Sequence, residues 1–157
     1  MAHQEIERKF LVRGEWKHLA YNKTHIEQGY FKTEPGRTVR VRIRDDKAYL
    51  TIKGPSANGL ARYEFETEIP LDDGRELMRL CMPGQVVKDR YLIHNGRHTI
   101  EVDEFFGDNE GLVLAEIELN DENEPYDKPD FLGQEVTGIP RYYNKYMINN
   151  PYKTWGH

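Results

Sequence analysis

Charged side chains recur at every second position in several extended stretches of this chain. Glu5, Glu7 and Lys9 share one side of the first stretch, and Arg40 and Arg42 share one side of a later one. Arginine offers a bidentate fork to phosphate oxygens. Carboxylates are the hard oxygen ligands that Mg²⁺ and Mn²⁺ accept. If both sets face one cavity, these residue types predict chemistry on a polyphosphate held together with a divalent metal.

The charges are sorted by stretch and are not mixed. Glu64, Glu66 and Glu68 share one face of a single stretch. Alternate side chains of a strand lie about 7 Å apart, so like charges at that spacing repel unless something lies between them. A face exposed only for solubility usually carries both positive and negative side chains, interspersed. Alternation alone does not tell the inner face from the outer one, and charges ordinarily face water. The sorting nevertheless favours a charge-lined cavity.

Such a cavity would carry cations and carboxylates from most of the stretches. The cations would be Lys9, Arg40, Arg42, Arg44, Lys53, Arg62, Lys88 and Arg90. The carboxylates would be Glu5, Glu7, Glu64, Glu66, Glu68, Glu101, Asp103, Glu116 and Glu118. Desolvating so many ions is very costly unless they are paired. The lining is therefore reasonable only if it is wet and holds a polyanion together with metal.

The elements that must position these residues are mostly strands. The period-two pattern predicts eight of them, at 5–12, 25–32, 38–45, 47–54, 61–70, 86–94, 97–105 and 112–120. Helical pieces are predicted at 15–19, 72–82, 130–134 and 141–149. Consecutive strands with tight turns favour antiparallel pairing. We therefore expect an α+β, β-rich fold, either a barrel or a strongly curved sheet.

Composition narrows the class of protein. The 157 residues, 38% hydrophobic and 31% charged, fit one polar globular domain. The one cysteine, Cys81, excludes a disulfide framework and favours a reducing compartment. No apolar run approaches the roughly 18 residues that span a bilayer, and the net charge of −5 argues against nucleic acid as a partner. We expect a cytoplasmic protein that needs neither membrane nor nucleic acid, with enough apolar surface to allow a homodimer.

The stretch EIERK at residues 5–9 resembles the Glu-x-Glu-x-Lys signature of the CYTH superfamily, the triphosphate tunnel metalloenzymes. Seven further segments follow in the same order as in its short bacterial, tripolyphosphatase-like branch. They are QGYF, TVRVRIRDDKAYLTIKGP, RYEFETEIP, VVKDRY, IEVDEF, GLVLAEIEL and LGQEVTGIPRYYNKYM. The resemblance implies one domain over residues 1–157. It also implies an eight-stranded antiparallel β-barrel that forms a charged tunnel, with short helices packed outside.

The resemblance also assigns roles. The substrate-binding set, with Arg62 added because it shares the charged face, is Lys9, Arg40, Arg42, Lys53, Arg62, Lys88 and Arg90. The metal-ligand set is led by Glu5, Glu7, Glu116 and Glu118, followed by Glu64, Glu66, Glu101 and Asp103. The catalytic set is Lys9, Tyr30, Lys88 and Arg90. Tyr30 enters this set from its own chemistry and not from the resemblance, because a phenol beside several cations could accept a proton, and packing in the strand is the alternative role. Lys88 and Arg90 are predicted to stabilise the departing phosphate. The implied cofactor is Mg²⁺ or Mn²⁺, as one or two ions.

Three functions agree with this pattern. The leading prediction is metal-dependent hydrolysis of inorganic triphosphate, a small-molecule substrate, with nucleoside or thiamine triphosphates as further substrates. The alternative is a class IV-type adenylyl cyclase that converts ATP to cAMP and pyrophosphate. In that branch a His-Phe pair precedes the signature, whereas His3 stands here without Phe. A non-catalytic polyphosphate or nucleotide binder is the third hypothesis, but a pure binder has no use for two Glu-x-Glu pairs.

Overall fold

The computed structural model describes residues 4–56, 58 and 61–156. His3, on which the comparison with cyclases depends, lies outside these ranges. Within them the strands are β1 (Gln4–Val12), β2 (Ala20–Tyr30), β3 (Thr38–Arg44), β4 (Lys47–Lys53), β5 (Ala61–Ile69), β6 (Val86–Asn95), β7 (His98–Phe105), β8 (Val113–Glu118) and β9 (Leu132–Glu135). The α-helices are α1 (Leu71–Leu80) and α2 (Asn144–Met147). Single 3₁₀ turns lie at Lys17–Leu19, Gly107–Asn109, Pro140–Tyr142 and Tyr152–Thr154.

Eight of the strands close into an antiparallel barrel. Their order is β5-β4-β3-β2-β6-β7-β8-β1, and β1 returns to β5 where Glu5 lies opposite Arg62. In an eight-membered ring each strand faces the one four places along, so β3 lies across the barrel from β8. The predicted fold class is confirmed, and all eight predicted strands form. The bounds differ most for β2, which begins at Ala20 although the pattern predicted a start at residue 25.

The helical piece predicted at 130–134 is wrong, because Leu132–Glu135 forms the ninth strand. This segment forms a strand because β1 has an edge that it can pair with. The pairing of β1 with β5 ends at Ile6, which leaves one edge of its second half without a partner in the barrel. β9 covers that edge, with Phe10 opposite Glu135 and Val12 opposite Leu132. Backbone groups that would otherwise lack partners are thereby satisfied.

The remaining helical predictions are confirmed, although most of the pieces are short. The piece at 15–19 is the 3₁₀ turn Lys17–Leu19, and the piece at 141–149 contains α2 and part of a 3₁₀ turn. The piece at 72–82 is α1, which packs on the outside of β3 and β4. The helix lies very close to the sheet at Gly74, because a Cβ atom on this residue would stand 2.4 Å from the Cβ of Ala48. A side chain there would push the helix off the sheet.

The apolar face of the barrel wall points outward. One buried cluster joins outward-facing residues of β1, β6, β7 and β8, among them Phe10, Ile100 and Ile117, with Trp16 and Phe131 from the covering loops. Trp16 meets Tyr91 edge-to-face at a centroid distance of 4.9 Å. The core that stabilises the fold therefore lies between the wall and its covering segments. This arrangement leaves the inner face to the charged side chains.

A second buried cluster fills one end of the barrel. Here Tyr30, Phe105 and Leu114 of the strands pack against Tyr142 and Met147. The latter belong to residues 140–155, which we call the C-terminal segment. At the other end the carboxylates are more exposed, with Glu66 and Glu118 open to solvent. In the described part of the chain, no helix is long and apolar enough to cross a membrane.

Candidate active site

The predicted cations lie inside the barrel and are buried to an unusual degree. Five of them expose less than a tenth of their surface: Lys9, Arg40, Arg42, Lys53 and Lys88. Arg62 and Arg90 are half-buried. Lysine and arginine are almost never buried without partners, so the partners of each cation show what the site can bind. Arg44 differs from the rest, because it is exposed and donates to the Tyr49 hydroxyl at 2.7 Å.

Four of the predicted metal ligands form facing pairs on neighbouring strands. Glu7 of β1 lies opposite Glu118 of β8, and Glu116 of β8 lies opposite Glu101 of β7. We call these four residues the carboxylate cluster. Like charges directly opposite each other on one face destabilise a sheet. Burial, followed by the negative charges of Glu101, Glu5 and Glu64, raises the pKa of Glu118. Lys9 pairs with Glu116 at 2.9 Å and Arg90 pairs with Glu101 at 3.4 Å, and a further cation or a proton would neutralise the negative charge that remains.

The donor set of the cluster fits a hard divalent cation. Mg²⁺ and Mn²⁺ take carboxylate oxygens and retain several waters, and the cluster offers carboxylates on three adjacent strands. In the ranges that the structure describes, no three acidic, histidine or cysteine side chains converge as a ready-made metal site. The carboxylates would thus have to approach one another around the ion. Their mutual repulsion favours that approach only when the ion is bound.

Glu7 and Glu116 shift each other's pKa. Burial, and then the charge of Glu116 and a hydrogen bond to it, raise the pKa of Glu7 well above its usual range. Burial opposes the ionisation of Glu116, but the Lys9 ammonium, a hydrogen bond from Glu7 and the charges of Arg90 and Lys88 together hold the pKa of Glu116 well below its usual range. Lys9 Nζ donates to Glu116 Oε1 at 2.9 Å. A metal ion that binds Glu7 would therefore compete with a proton at that carboxyl.

Glu5 is already occupied by two cations. Lys53 Nζ lies 2.9 and 3.0 Å from its two carboxylate oxygens, and Arg62 Nε lies 3.5 Å from Oε1. Lys53 also pairs with Glu64 at 3.6 Å. These contacts join β1, β4 and β5 at the seam where the barrel closes. Glu5 and Glu64 are consequently less available to a metal than Glu7 and Glu118 of the carboxylate cluster.

Asp103 is the counter-ion of two cations. Both of its oxygens accept from Arg90, at 2.8 and 2.9 Å, and Lys88 Nζ lies 2.8 Å from Oδ2. Burial opposes its ionisation, but Arg90 and Lys88 keep the pKa of Asp103 below its usual range. Because both oxygens are taken, Asp103 is the least suited of the eight predicted metal ligands. Glu66 is similarly engaged, by Thr51 at 2.8 Å and Arg40 at 3.5 Å.

The middle of the barrel carries an excess of positive charge. Burial, and then the charges of Arg40 and Arg90, lower the pKa of Arg42, although a guanidinium stays protonated at neutral pH. Burial also lowers the pKa of Lys88 to about 7; Arg90 and Arg42 add to this effect, and Asp103 opposes it. The side chain of Arg42 donates to the neutral Gln28 at 2.9 Å. In the described part of the chain, the buried Nε of Arg40 has no acceptor. An anion in the barrel would offset the mutual repulsion of these cations.

Tyr30 lies at the filled end of the barrel. Its side chain belongs to the apolar cluster there, and its hydroxyl accepts a hydrogen bond from Gln28 Nε2 at 2.7 Å. Gln28 is fully buried and also contacts Arg42. The sequence pattern placed Gln28 on the same face as Tyr30, but its uncharged side chain gave no reason to include it in the site.

The C-terminal segment supplies two residues that sequence reasoning missed. Asn144 Oδ1 accepts from Lys88 Nζ at 2.7 Å and from Gln28 Nε2 at 3.0 Å. The Tyr143 ring lies 4.7 Å from Lys9 Nζ, within the range of a cation–π contact. No local signal could have found them, because the position of this segment depends on the packing of Tyr142 and Met147 against the barrel.

Similarity to known proteins agrees with this geometry. The family model described as CYTH domain matches residues 3–143. An inorganic triphosphatase of Acetivibrio thermocellus is 48% identical over 154 residues, which cover 97% of each chain. An inorganic triphosphatase of Nitrosomonas europaea is 33% identical over 147 residues, which cover 90% of this chain and 94% of the relative.

Solved structures share the barrel. The crystal structure of an inorganic triphosphatase superposes with a TM-score of 0.66 at 28% identity, covering 92% of this chain and 93% of the other. A protein of Pyrococcus horikoshii OT3, 24% identical, superposes with a TM-score of 0.59 over 76% of this chain and 80% of its own, and shares the fold. The resemblance carried by EIERK and the segments after it is confirmed, and the chain belongs to the CYTH domain family.

Proposed function

We propose that this protein hydrolyses inorganic triphosphate with release of orthophosphate. Two relatives named inorganic triphosphatase, one of them 48% identical over nearly the whole chain, support this activity. The observation that carries the proposal is the pair of buried arginines on β3. Arg42 has a neutral hydrogen-bonding partner, and the buried Nε of Arg40 has no acceptor in the described residues. Such guanidinium groups suit the oxygens of a polyphosphate.

The arrangement of strands supports a division of labour across the barrel. β3, with Arg40 and Arg42, faces β8, with Glu116 and Glu118. A triphosphate between them would have guanidinium groups on one side and the carboxylate cluster on the other. Lys9 and Lys53 would contact phosphate oxygens from β1 and β4. Lys88 and Arg90 of β6 would stabilise the departing phosphate, since phosphoryl transfer depends mainly on positioning and charge neutralisation.

Dependence on a divalent metal follows from membership of the triphosphate tunnel metalloenzymes, and the ion and its ligands are our proposal. The carboxylate cluster would hold Mg²⁺ or Mn²⁺, with Glu5, Glu64, Glu66 and Asp103 in supporting positions. When bound, the metal would neutralise phosphate charge and lower the pKa of a water molecule. Tyr30 reaches the cations through Gln28, so its predicted part as proton acceptor is the least supported role.

An assay of phosphate release tests the activity. Tripolyphosphate, ATP and thiamine triphosphate would be supplied in turn with Mg²⁺ or Mn²⁺, and cAMP would be measured in parallel. We expect the highest kcat/KM on tripolyphosphate, with no turnover in the presence of a chelator. Formation of cAMP without turnover of tripolyphosphate would contradict the proposal and support the cyclase. Tight binding without any turnover would support the non-catalytic binder.

The proposal also covers the cellular location and the oligomeric state of the protein. We place it in the cytoplasm, where its one cysteine, Cys81, would stay reduced. Exposed apolar side chains such as Ile52 and Leu80 would favour a homodimer. Light scattering of the purified protein tests the dimer. The expected mass is twice the 18.5 kDa of one chain, and a mass of 18.5 kDa at all concentrations would contradict it.

A further inference from the structure

Asn144 is the first residue of α2, and its side chain reaches from the C-terminal segment to the cations of the barrel. Its Oδ1 atom accepts two hydrogen bonds, from Lys88 Nζ at 2.7 Å and from Gln28 Nε2 at 3.0 Å. Both lone pairs of an amide oxygen are thereby used. The side chain of Asn144 is thus held between a buried ammonium and a buried amide.

The orientation of both amides follows from their neighbours. Arg42 Nε can only donate, so the Gln28 atom that faces it at 2.9 Å must be the oxygen Oε1. Gln28 Nε2 then points to the Tyr30 hydroxyl and to Asn144. Because Nε2 and the Lys88 ammonium are both donors, the Asn144 atom between them must be Oδ1. One connected network therefore runs from Arg42 through Gln28 and Asn144 to Lys88.

The network fixes the position of a flexible cation. A lysine carries three rotatable donors on a four-carbon stem. Lys88 pairs with Asp103 at 2.8 Å on one side and donates to Asn144 on the other. Among the described residues these are its hydrogen-bonding and ion-pair partners, which leaves the third N–H for a ligand in the barrel. Without Asn144 the ammonium would have one anchor, and it could turn about the Asp103 carboxylate.

We propose that Asn144 is a positioning residue, which holds the Lys88 ammonium where it meets the departing phosphate. This inference rests on the proposed hydrolysis of inorganic triphosphate. It makes the C-terminal segment part of the catalytic apparatus as well as the closure of the barrel end. A misplaced ammonium weakens stabilisation of the transition state more than binding of the substrate. A displacement of about 1 Å can reduce turnover as much as about 100-fold.

Two variants of Asn144 separate positioning from simple filling of the barrel end. Asn144→Leu keeps the approximate volume but removes the acceptor, and we expect kcat on tripolyphosphate to fall about 10- to 100-fold with a much smaller change in KM. Asn144→Asp keeps the acceptor oxygens and should recover most of the turnover. If the residue only fills space, leucine should be tolerated better than a buried carboxylate. That order of activities would overturn the proposal.

Asn149→Ala is the matched control, because Asn149 is an exposed asparagine of the same segment. It should retain wild-type kcat and KM. If Asn144→Leu does not fold, Asn144→Ala repeats the test, since it removes the acceptor without adding bulk. Wild-type kcat in a folded variant without the acceptor would overturn the proposal.

A second readout does not depend on turnover. The buried ammonium of Lys88 can be followed by proton–nitrogen NMR of lysine Nζ groups at acidic pH, with Lys88→Arg to assign the signal. We expect Asn144→Leu to shift this signal and to speed its proton exchange, whereas Asn149→Ala should leave it in place. An unchanged signal in Asn144→Leu would refute the positioning role. A wild-type protein that shows no turnover of tripolyphosphate would instead refute the proposed function, whatever the NMR result.

Discussion

Lys9 of β1 and Glu116 of β8 lie directly opposite each other in the barrel wall, and the Lys9 ammonium donates to the Glu116 carboxylate at 2.9 Å. Lys9 is buried and Glu116 is partly buried, and the charge of Glu116 adds to burial in raising the pKa of Glu7 beside it. Burying an ion pair gives little net stability, because desolvation offsets the attraction. In the proposed function this pair serves ligand binding: the carboxylates would bind a metal, and the ammonium would bind a phosphate.

Binding of Mn²⁺ should become tighter as pH rises. The raised pKa of Glu7 means that its carboxyl holds a proton at low pH, and the metal must displace that proton. Affinity should therefore increase as pH rises through this pKa and then level off. Electron paramagnetic resonance of free Mn²⁺ measures the affinity without substrate.

Glu7→Gln should abolish this pH-dependent gain and metal-dependent turnover while the fold stays intact. Glu104→Gln is the control, since Glu104 lies on the outer face of β7 and pairs with Lys17. If Glu7→Gln keeps wild-type affinity at every pH, Glu7 is not a ligand of the metal.

Arg42→Ala should chiefly weaken binding of the substrate. Hydrogen bonds to a charged group contribute about 1.5–3 kcal/mol, so KM for tripolyphosphate should rise roughly 10- to 100-fold with a smaller change in kcat. Steady-state kinetics gives both values. Arg44→Ala is the matched control, because Arg44 lies on the same face of β3 but is exposed and stacks on Tyr49. Equal effects of the two substitutions would argue against a specific phosphate contact at Arg42.

Gly74→Ala should destabilise the fold by about 1–3 kcal/mol, the usual cost of overpacking. Its new methyl group would meet Ala48, whose Cβ lies 2.4 Å from the ideal position. Urea unfolding measures the change in the free energy of unfolding. Ala48→Gly in the same chain removes the clash, so the double variant should lose less stability than the two single changes predict together. Additive losses would show that the contact is not responsible.

His25 should titrate above the usual histidine pKa. Its ring hydrogen-bonds to Asp89 at 2.8 Å, and Glu27 adds to the effect, while burial opposes it. Since the folded pKa exceeds the unfolded one, this pair stabilises the fold fully below about pH 6.5, and the contribution is lost as pH rises through the folded pKa. Proton NMR of the imidazole measures the pKa. Asp89→Asn should lower it, and an unchanged titration curve would rule out Asp89 as the cause.

The strands and the inward charges could be predicted because both depend on local alternation. Lys9, Arg42 and Glu116 carry their charge on a face that the period of two defines, and the resemblance identified that face as the inner one. β9 could not be predicted in this way. Its pairing depends on the edge that β5 leaves free along β1, a consequence of how the barrel closes.

Contacts between distant parts of the chain explain the features of the site that the sequence did not predict. Asp103 and Glu118 look alike as strand carboxylates, yet Asp103 is neutralised by Arg90 and Lys88, whereas Glu118 faces another carboxylate. That distinction depends on the register between β6 and β7 and on the register between β1 and β8. Asn144 lies outside the charged strands altogether, and only the packing of the C-terminal segment brings it to Lys88.

In the proposed mechanism, a metal on the carboxylate cluster and the arginines of β3 would hold the triphosphate between them. Crystals soaked with Mn²⁺ and a non-hydrolysable imido analogue of triphosphate would test it by anomalous diffraction. We predict a manganese peak bounded by Glu7, Glu116 and Glu118, with phosphate density reaching Arg40 and Arg42. A manganese peak at Asp103 or Glu66, or phosphate density away from β3, would contradict the account.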